Sequence, residues 1–523
     1  MDGSGAGEEE DDAGAVSFET FQVAVQEFSA TPQTIVDARP YLVDEFLRTA
    51  GGFATLLTVL SAEELDEYLR EDVARSLRLV LNTERGRRAL VQFPAVGPAL
   101  IQGLRHSNEF VRQTTAGELR FLLASDLPEG TFMQLISQPD MYRTLMSVLA
   151  DPLSSISEAV SDILLQAAGP DGSRFFSSYD EIAQVANSQG TVLIRVLTLA
   201  ARVGALSPAA FETYRYSGLL HATVKLVQSE NDDILLRMSA FEVLNEIAKS
   251  SLGLTYLTNE AHLASLFFQF APPGPDVFLT TGALGTIQDI VDRSIQHNDF
   301  AWMENGDVKC LLERCLSNDI MDVQAGAIGA ICVVAKCFVG LAMVTETDND
   351  LLFRVVRVVY QENLSTNELH ISTMHGLATV FGSVYDSRQM DVVDPVRRAI
   401  LMGSRSARDD NSTLPSFMSR VRVLSTNIET DLRIACYRFL SELAKSPWGL
   451  RAILATPVLP EQLLDRNIEI DAKANEWKFA LLQVISTSPH LTSSTNDRLA
   501  KQIHEYVHQG PYYKPRAFAV VDI

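Results

Sequence analysis

Three amphipathic runs, DDILLRMSAFEVLNEIAK, IMDVQAGAIGAICVVAK and TDLRIACYRFLSELAK, end on the same Ala-Lys pair. Counted back from that Ala, the positions one, four and eight residues earlier hold Ile247, Leu244 and Ala240 in the first run. They hold Val334, Ile331 and Ala327 in the second, and Leu443, Leu440 and Cys436 in the third. Residues at this spacing share one face of an α-helix, so each run predicts a helix buried along one side. The small residue at the earliest position lets a neighbouring helix approach closely. The Ala-Lys pair opens a refrain: AKSSLGL from Ala248, AKCFVGL from Ala335 and AKSPWGL from Ala444. In the last copy Ser446 can cap a new helix, and Pro447 suits its first position, where an N–H has no intrahelical partner. The refrain therefore marks a joint at which a long helix stops and a short one begins. Gly253, Gly340 and Gly449 would each cost about 1 kcal/mol relative to Ala within a helix, and their recurrence predicts a tight helix crossing.

Similar runs end near Leu81, Ala124, Ala167, Ala201, Val291, Val380 and Ile485. The ladder has a step of about 43 residues, within the range of HEAT and armadillo repeats. The predicted fold is all-α: an armadillo/HEAT-like α-solenoid, a curved superhelix of about ten helical repeats, each burying its face against its neighbours. Residues 1–17 read as a disordered acidic tail, 18–510 as the repeat array and 511–523 as a C-terminal tail. Within the array GSRSARDDNSTLPS, residues 403–416, breaks the step and reads as an inserted loop. One segment, Ala325 to Val344, has the length and apolarity of a membrane-crossing helix. The refrain inside it stands in phase with two copies whose flanks are amphipathic, which favours a helix buried on all sides within the array.

Charge narrows the partners. The chain has 43 Lys and Arg against 66 Asp and Glu, a net charge of −23. Such a surface repels nucleic acid and anionic lipid, whose binding rests on cations that neutralise phosphates. Neither nucleic acid nor membrane is expected as a partner; basic or mixed-charge proteins are. The five cysteines form no dense framework, and four of them fall in apolar helical patterns, where reduced Cys acts as a small hydrophobe. The leader MDGSGAGEEEDDAG has neither the basic nor the apolar region of a signal peptide. A reducing compartment is expected: the cytoplasm, with the nucleus also open to the chain.

Catalytic motifs are sparse. HEYVH, His504 to His508, fits the H-E-x-x-H pattern of zinc peptidases. The third ligand that such a site needs has no His to supply it downstream, and the only acid there is Asp522. An amphipathic last helix with Leu499, Ile503 and Val507 on its buried face accounts for the same residues. His370 and His375 stand five apart, off one helix face. No enzyme activity, metal or cofactor is expected. What remains is a binding surface, the exposed positions of the long helices on the concave face. Glu242, Glu246 and Lys249 are the candidates in one repeat, and Arg438, Glu442 and Lys445 in another.

The C-terminal third adds a resemblance. The runs LRIACYRFLSELAKSPWGLRAIL, LLDRNIEIDAKANEWKFALL and QGPYYKP together resemble the 26S proteasome non-ATPase regulatory subunit 5 family. The likeness is specific over about the last 90 residues and upstream rests on repeat number and length. It implies a chaperone that assembles the base of the proteasome regulatory particle and leaves before the proteasome is complete. The implied partners are the C-terminal domain of one base ATPase, with a second base ATPase and the large non-ATPase scaffold subunit alongside. The alternative is a general armadillo-like scaffold or transport adaptor.

Overall fold

The protein is described here by a computed structural model. It describes residues 16–93, 95–123, 130–178, 182, 190–229, 233–273, 276–304, 306–346, 350–362, 367–383, 397, 414–495 and 497–513. Among these residues every regular element is helical. The chain forms two compact units, divided between Thr223 and Val224. The long helices of the first unit are α1 (Phe18–Ser29), α2 (Glu67–Leu81), α3 (Glu109–Leu123), α4 (Ser154–Ala167) and α5 (Gly190–Gly204). Those of the second are α6 (Ile234–Ile247), α7 (Val277–His297), α8 (Met321–Val334), α9 (Glu368–Gly382), α10 (Thr430–Ala444) and α11 (Ala472–Thr487). Within each unit they pack in chain order, each against the next. Shorter helices join consecutive members, as Glu84–Gln92 and Val96–Leu104 join α2 to α3.

The faces predicted from spacing are the faces buried. Ala240, Leu244 and Ile247 on α6, Ala327, Ile331 and Val334 on α8, and Cys436, Leu440 and Leu443 on α10 are all buried. Close approach between neighbours falls on glycines. A Cβ on Gly282 of α7 would lie 3.3 Å from the Phe241 ring of α6, and one on Gly326 of α8 would lie 3.2 Å from Leu284 of α7. In both pairs the sixth residue of one helix meets the eighth of its predecessor. Farther along the same helices Asn245 meets Asp289, Gly329 approaches Gln288 and Gly376 approaches Cys332, later residue against later residue each time, so the long helices of the second unit run parallel and in register.

The refrain is a joint of repeated geometry. Ser250 Oγ accepts from Gly253 N at 3.0 Å, Ser446 Oγ from Gly449 N at 3.1 Å, and Cys337 Sγ takes the same role for Gly340 N at 3.3 Å. A fourth copy, without the Ala-Lys, caps Gly86 N with Thr83 Oγ1 at 3.1 Å. The glycines are needed for a different reason from the expected crossing of neighbouring helices. A Cβ at Gly253, Gly340, Gly449 or Gly86 would stand 2.0–2.2 Å from the carbonyl oxygen of Ile247, Val334, Leu443 or Val80, the end of the helix just completed. Gly449→Ala should destabilise the protein by about 1–3 kcal/mol, although Ala is the better helix former by about 1 kcal/mol. Gly285→Ala, in α7 with nothing within 4 Å of its would-be Cβ, should instead stabilise. Denaturant midpoints of the two variants should move in opposite directions.

The other boundaries follow. The apolar stretch from Ala325 to Val344 is broken by Ala335–Cys337 into α8 and the short helix Phe338–Val344. Among the described residues no helix is long and apolar enough to cross a membrane. α7 runs past Val291 to His297, because Ser294 is buried and accepts from Trp302 Nε1 at 2.9 Å. Of the acidic leader, residues 1–15 lie outside the described ones, and Ser17 caps α1 by accepting from Thr20 N. Residues 403–413 of the proposed insertion also lie outside, while its last residues, Leu414 to Ser416, already belong to helix Leu414–Leu424.

Candidate partner-binding surface

The open side of the long helices is laced by polar contacts between neighbours. In the first unit Arg78 of α2 reaches Glu118 of α3 at 2.6 Å, and Arg120 of α3 and Arg202 of α5 converge on Asp162 of α4 at 2.6 and 3.0 Å. Burial pushes the Glu118 carboxyl up against the opposing pull of Arg78. In the second unit Asn245 of α6 donates to Asp289 of α7 at 2.8 Å, and Lys336 at the end of α8 pairs with Asp292 of α7. These contacts fix the register of the stack, and a partner on this side would meet side chains already held in place.

The six candidate residues divide accordingly. Glu242 is exposed and Lys249 is exposed beside Glu246, with which it pairs within the same helix end. Lys445 and Glu442 repeat that pair at 2.6 Å. Arg438 belongs to the packing: it donates to His375 Nδ1 at 3.1 Å and Thr379 Oγ1 at 3.3 Å, both on α9. Burial, with Arg438 adding to it, pushes the His375 imidazole down and keeps it a neutral acceptor. The six positions therefore lie on two separate helices, and four of them are engaged as intrahelical pairs.

The residues that carry the family likeness do something the sequence did not reveal. Glu469 accepts from Arg433 Nε and Nη2 at 2.7–3.1 Å and from the Tyr437 hydroxyl at 3.0 Å. Arg466 lies over the Tyr506 ring at 3.8 Å and donates to the Gly510 carbonyl at 2.7 Å. Asn475 Nδ2 donates to the Pro511 carbonyl, and the Tyr512 hydroxyl to Glu476. Lys478 is fully buried and donates to the Asp465 carbonyl at 2.7 Å. Asp-Arg, the Lys-containing segment and Gly-Pro-Tyr-Tyr thus form one lock that closes the end of the array on α11. In the last helix, Asp497–Gln509, Ala500, Ile503 and Tyr506 are buried, whereas the expected Leu499 and Val507 are half-buried at its flanks. Cover from Arg466 draws Tyr506 inward. His504 bonds Ser486 at 2.7 Å. Among the described residues no three His, Cys, Asp or Glu side chains gather as a metal would require.

Burial pushes the Lys478 ammonium down to about 8. The unfolded chain holds that proton to about 10.4, so between these values unfolding takes up a proton and stability rises with pH. Above about 10 the phenol of Tyr437, pushed up by burial and Glu469, opposes the gain. The buried thiols Cys315, Cys332 and Cys436, pushed up by burial, oppose the gain from about 8.5 upward, so Lys478 is read as a difference: from pH 8 to 10 the denaturant midpoint of the native protein should rise relative to that of Lys478→Met.

Burial sets the cysteines too: Cys315 and Cys332 are pushed up to about 12. All five cysteines are free.

Solved structures share the fold. One, titled for Kap95p binding that induces the switch loops of RanGDP to adopt the GTP-bound conformation, matches 93% of this chain at 12% identity with a TM-score of 0.56. Another, the karyopherin Kap121p bound to the SUMO protease Ulp1p, matches 93% at 12% identity with a TM-score of 0.55. This chain spans 62% and 54% of their respective lengths. At such identity the likeness is one of fold, the HEAT-type α-solenoid. No curated protein sequence matches the chain. The family model described as proteasome non-ATPase 26S subunit matches residues 67–266 and 422–521, from the start of α2 and through the C-terminal lock. With more than half of its length so matched, the chain belongs to the proteasome non-ATPase 26S subunit family.

Proposed function

We propose that this protein is a non-enzymatic chaperone for assembly of the base of the proteasome regulatory particle. It binds the C-terminal domain of one base ATPase, with a second base ATPase and the large non-ATPase scaffold subunit as further partners, and dissociates before the proteasome is complete. The observation that carries the reading is the family match over residues 422–521, which include α10, α11 and the lock. The mechanism is steric: an array of helices covering that domain keeps the ATPase tail from docking early on the core particle. A contact of this kind buries about 1,000 Å² or more. The net charge of −23 favours a basic patch on the ATPase and makes the encounter salt-sensitive. The same charge and the free thiols suit the cytoplasm and nucleus.

The purified chain should co-elute from a sizing column with one base ATPase, and at about 0.5 M salt the complex should weaken as screening shortens the reach of charge. Co-elution with none of the base ATPases at low salt would overturn the reading. A general scaffold or transport adaptor has no observation of its own in its favour, because the karyopherin likeness is one of fold.

A further inference from the structure

The parallel register of α6 to α11 brings the starts of these helices to one edge of the second unit. That edge carries large apolar side chains turned to solvent. Leu235 and Phe278, each the second residue of its helix, are 69% and 63% exposed, and Ile320, which precedes α8, is 43% exposed. Ile428 and Ile470, two residues before α10 and α11, are each 96% exposed. A single exposed Leu needs no explanation. One within two residues of the start of five of the six helices does, since an unpartnered apolar row marks an interaction site.

Each of these side chains has a carboxylate within two residues: Asp233, Asp276, Asp319 and Asp322, Glu429, and Asp471. The only base within that distance is Arg237, which is turned to the Val227 carbonyl at 3.0 Å. The edge is therefore apolar at its centre and acidic at its rim. A second copy of the chain would set like charges against each other, which opposes self-association. A cationic partner is complementary.

Spacing selects its form. Neighbouring long helices pack about 8–10 Å apart, and every seventh residue of an α-helix advances about 10.5 Å. We propose that the starts of α6, α7 and α8 dock a basic amphipathic helix of a partner protein, with an apolar residue at every seventh position meeting Leu235, Phe278 and Ile320 in turn. Lysines or arginines beside each apolar residue face Asp233, Asp276 and Asp322. This edge is distinct from the open side of the long helices and does not depend on the chaperone reading.

The test uses the full chain and a fluorescent synthetic peptide of about three heptads, with Leu at every seventh position and Lys on both flanks. Anisotropy should show saturable binding that is at least tenfold weaker for the triple variant Leu235→Ser, Phe278→Ser, Ile320→Ser, whose melting curve stays unchanged. A peptide of the same composition in scrambled order, or one with a central proline, should also bind at least tenfold more weakly. No binding of the designed peptide at 100-fold excess over a micromolar protein concentration overturns the proposal. So does equal binding by the triple variant, by the scrambled peptide or by the proline peptide; these would point to charge alone or to an extended occupant.

Discussion

Leu440→Asp abolishes the cooperative melting of the second unit's C-terminal repeats. Leu440 is fully buried on α10, which packs against both α9 and α11. Next to it Phe439 meets Phe381 and Phe417 edge-on, at ring-centroid distances of 5.7 and 5.9 Å. A carboxylate introduced there loses its hydration without gaining a partner, which places the change among the substitutions costing about 4 kcal/mol or more. Because each repeat is stabilised by its interfaces with the next, the loss spreads to α9 and α11. Ile470→Asp, at a side chain 96% exposed, should stay within about 0.5 kcal/mol of the native protein. Thermal melts followed by circular dichroism separate the two. An unchanged transition in Leu440→Asp means that the buried face of α10 has been assigned wrongly.

The second large effect is expected at Glu469. Its side chain is 1% exposed and that of Arg433 is 13% exposed, so Glu469→Ala takes the acceptor from the buried Tyr437 hydroxyl and the carboxylate from a guanidinium that keeps only the Asn427 and Ile428 carbonyls and the Thr430 hydroxyl. Breaking a buried pair from one side costs about 3–5 kcal/mol. Glu469→Gln keeps an acceptor for the hydroxyl and should cost less. A surface pair gives the scale for comparison. Arg143 and Asp140 stand 3.3 Å apart with side chains 58% and 83% exposed, and Arg143→Ala should cost less than about 1 kcal/mol. Should urea midpoints place Glu469→Ala alongside Arg143→Ala, the lock contributes nothing to holding the array together.

Helix faces are legible in this sequence because burial imposes a period. Ala240, Leu244 and Ile247 follow that period, and so do their counterparts on α8 and α10. The joints were legible where they repeat a phrase, and Thr83 with Gly86 escaped because only the cap and the glycine are kept there. Charged residues were less legible, since period alone marks a charge as solvated. Lys478, Glu469 and Arg433 sit in the positions of surface residues by composition, yet Glu469 and Arg433 pair out of solvent and the Lys478 ammonium is buried on the Asp465 carbonyl. Their partners are a three-dimensional fact, spread over 46 positions of sequence from Arg433 to Lys478. Arg438 is a further case: period marks it as solvated, and its guanidinium spans from α10 to His375 and Thr379 of α9.

Helices that run parallel and side by side add their backbone dipoles, whereas antiparallel neighbours cancel them. Each helix end carries roughly half a charge, positive at the start and negative at the end. The starts of α6, α7 and α11 are met by the capping carboxylates of Asp233, Asp276 and Asp471. The opposite ends of α6, α8 and α10 are met by Lys249, Lys336 and Lys445, each within two residues of the last helical one. Glu246, Asp292 and Glu442 pair with these lysines and hold them at those ends. The lysine of the refrain thus offsets a carboxylate that, left alone, would stand against the negative ends of helices whose dipoles point the same way.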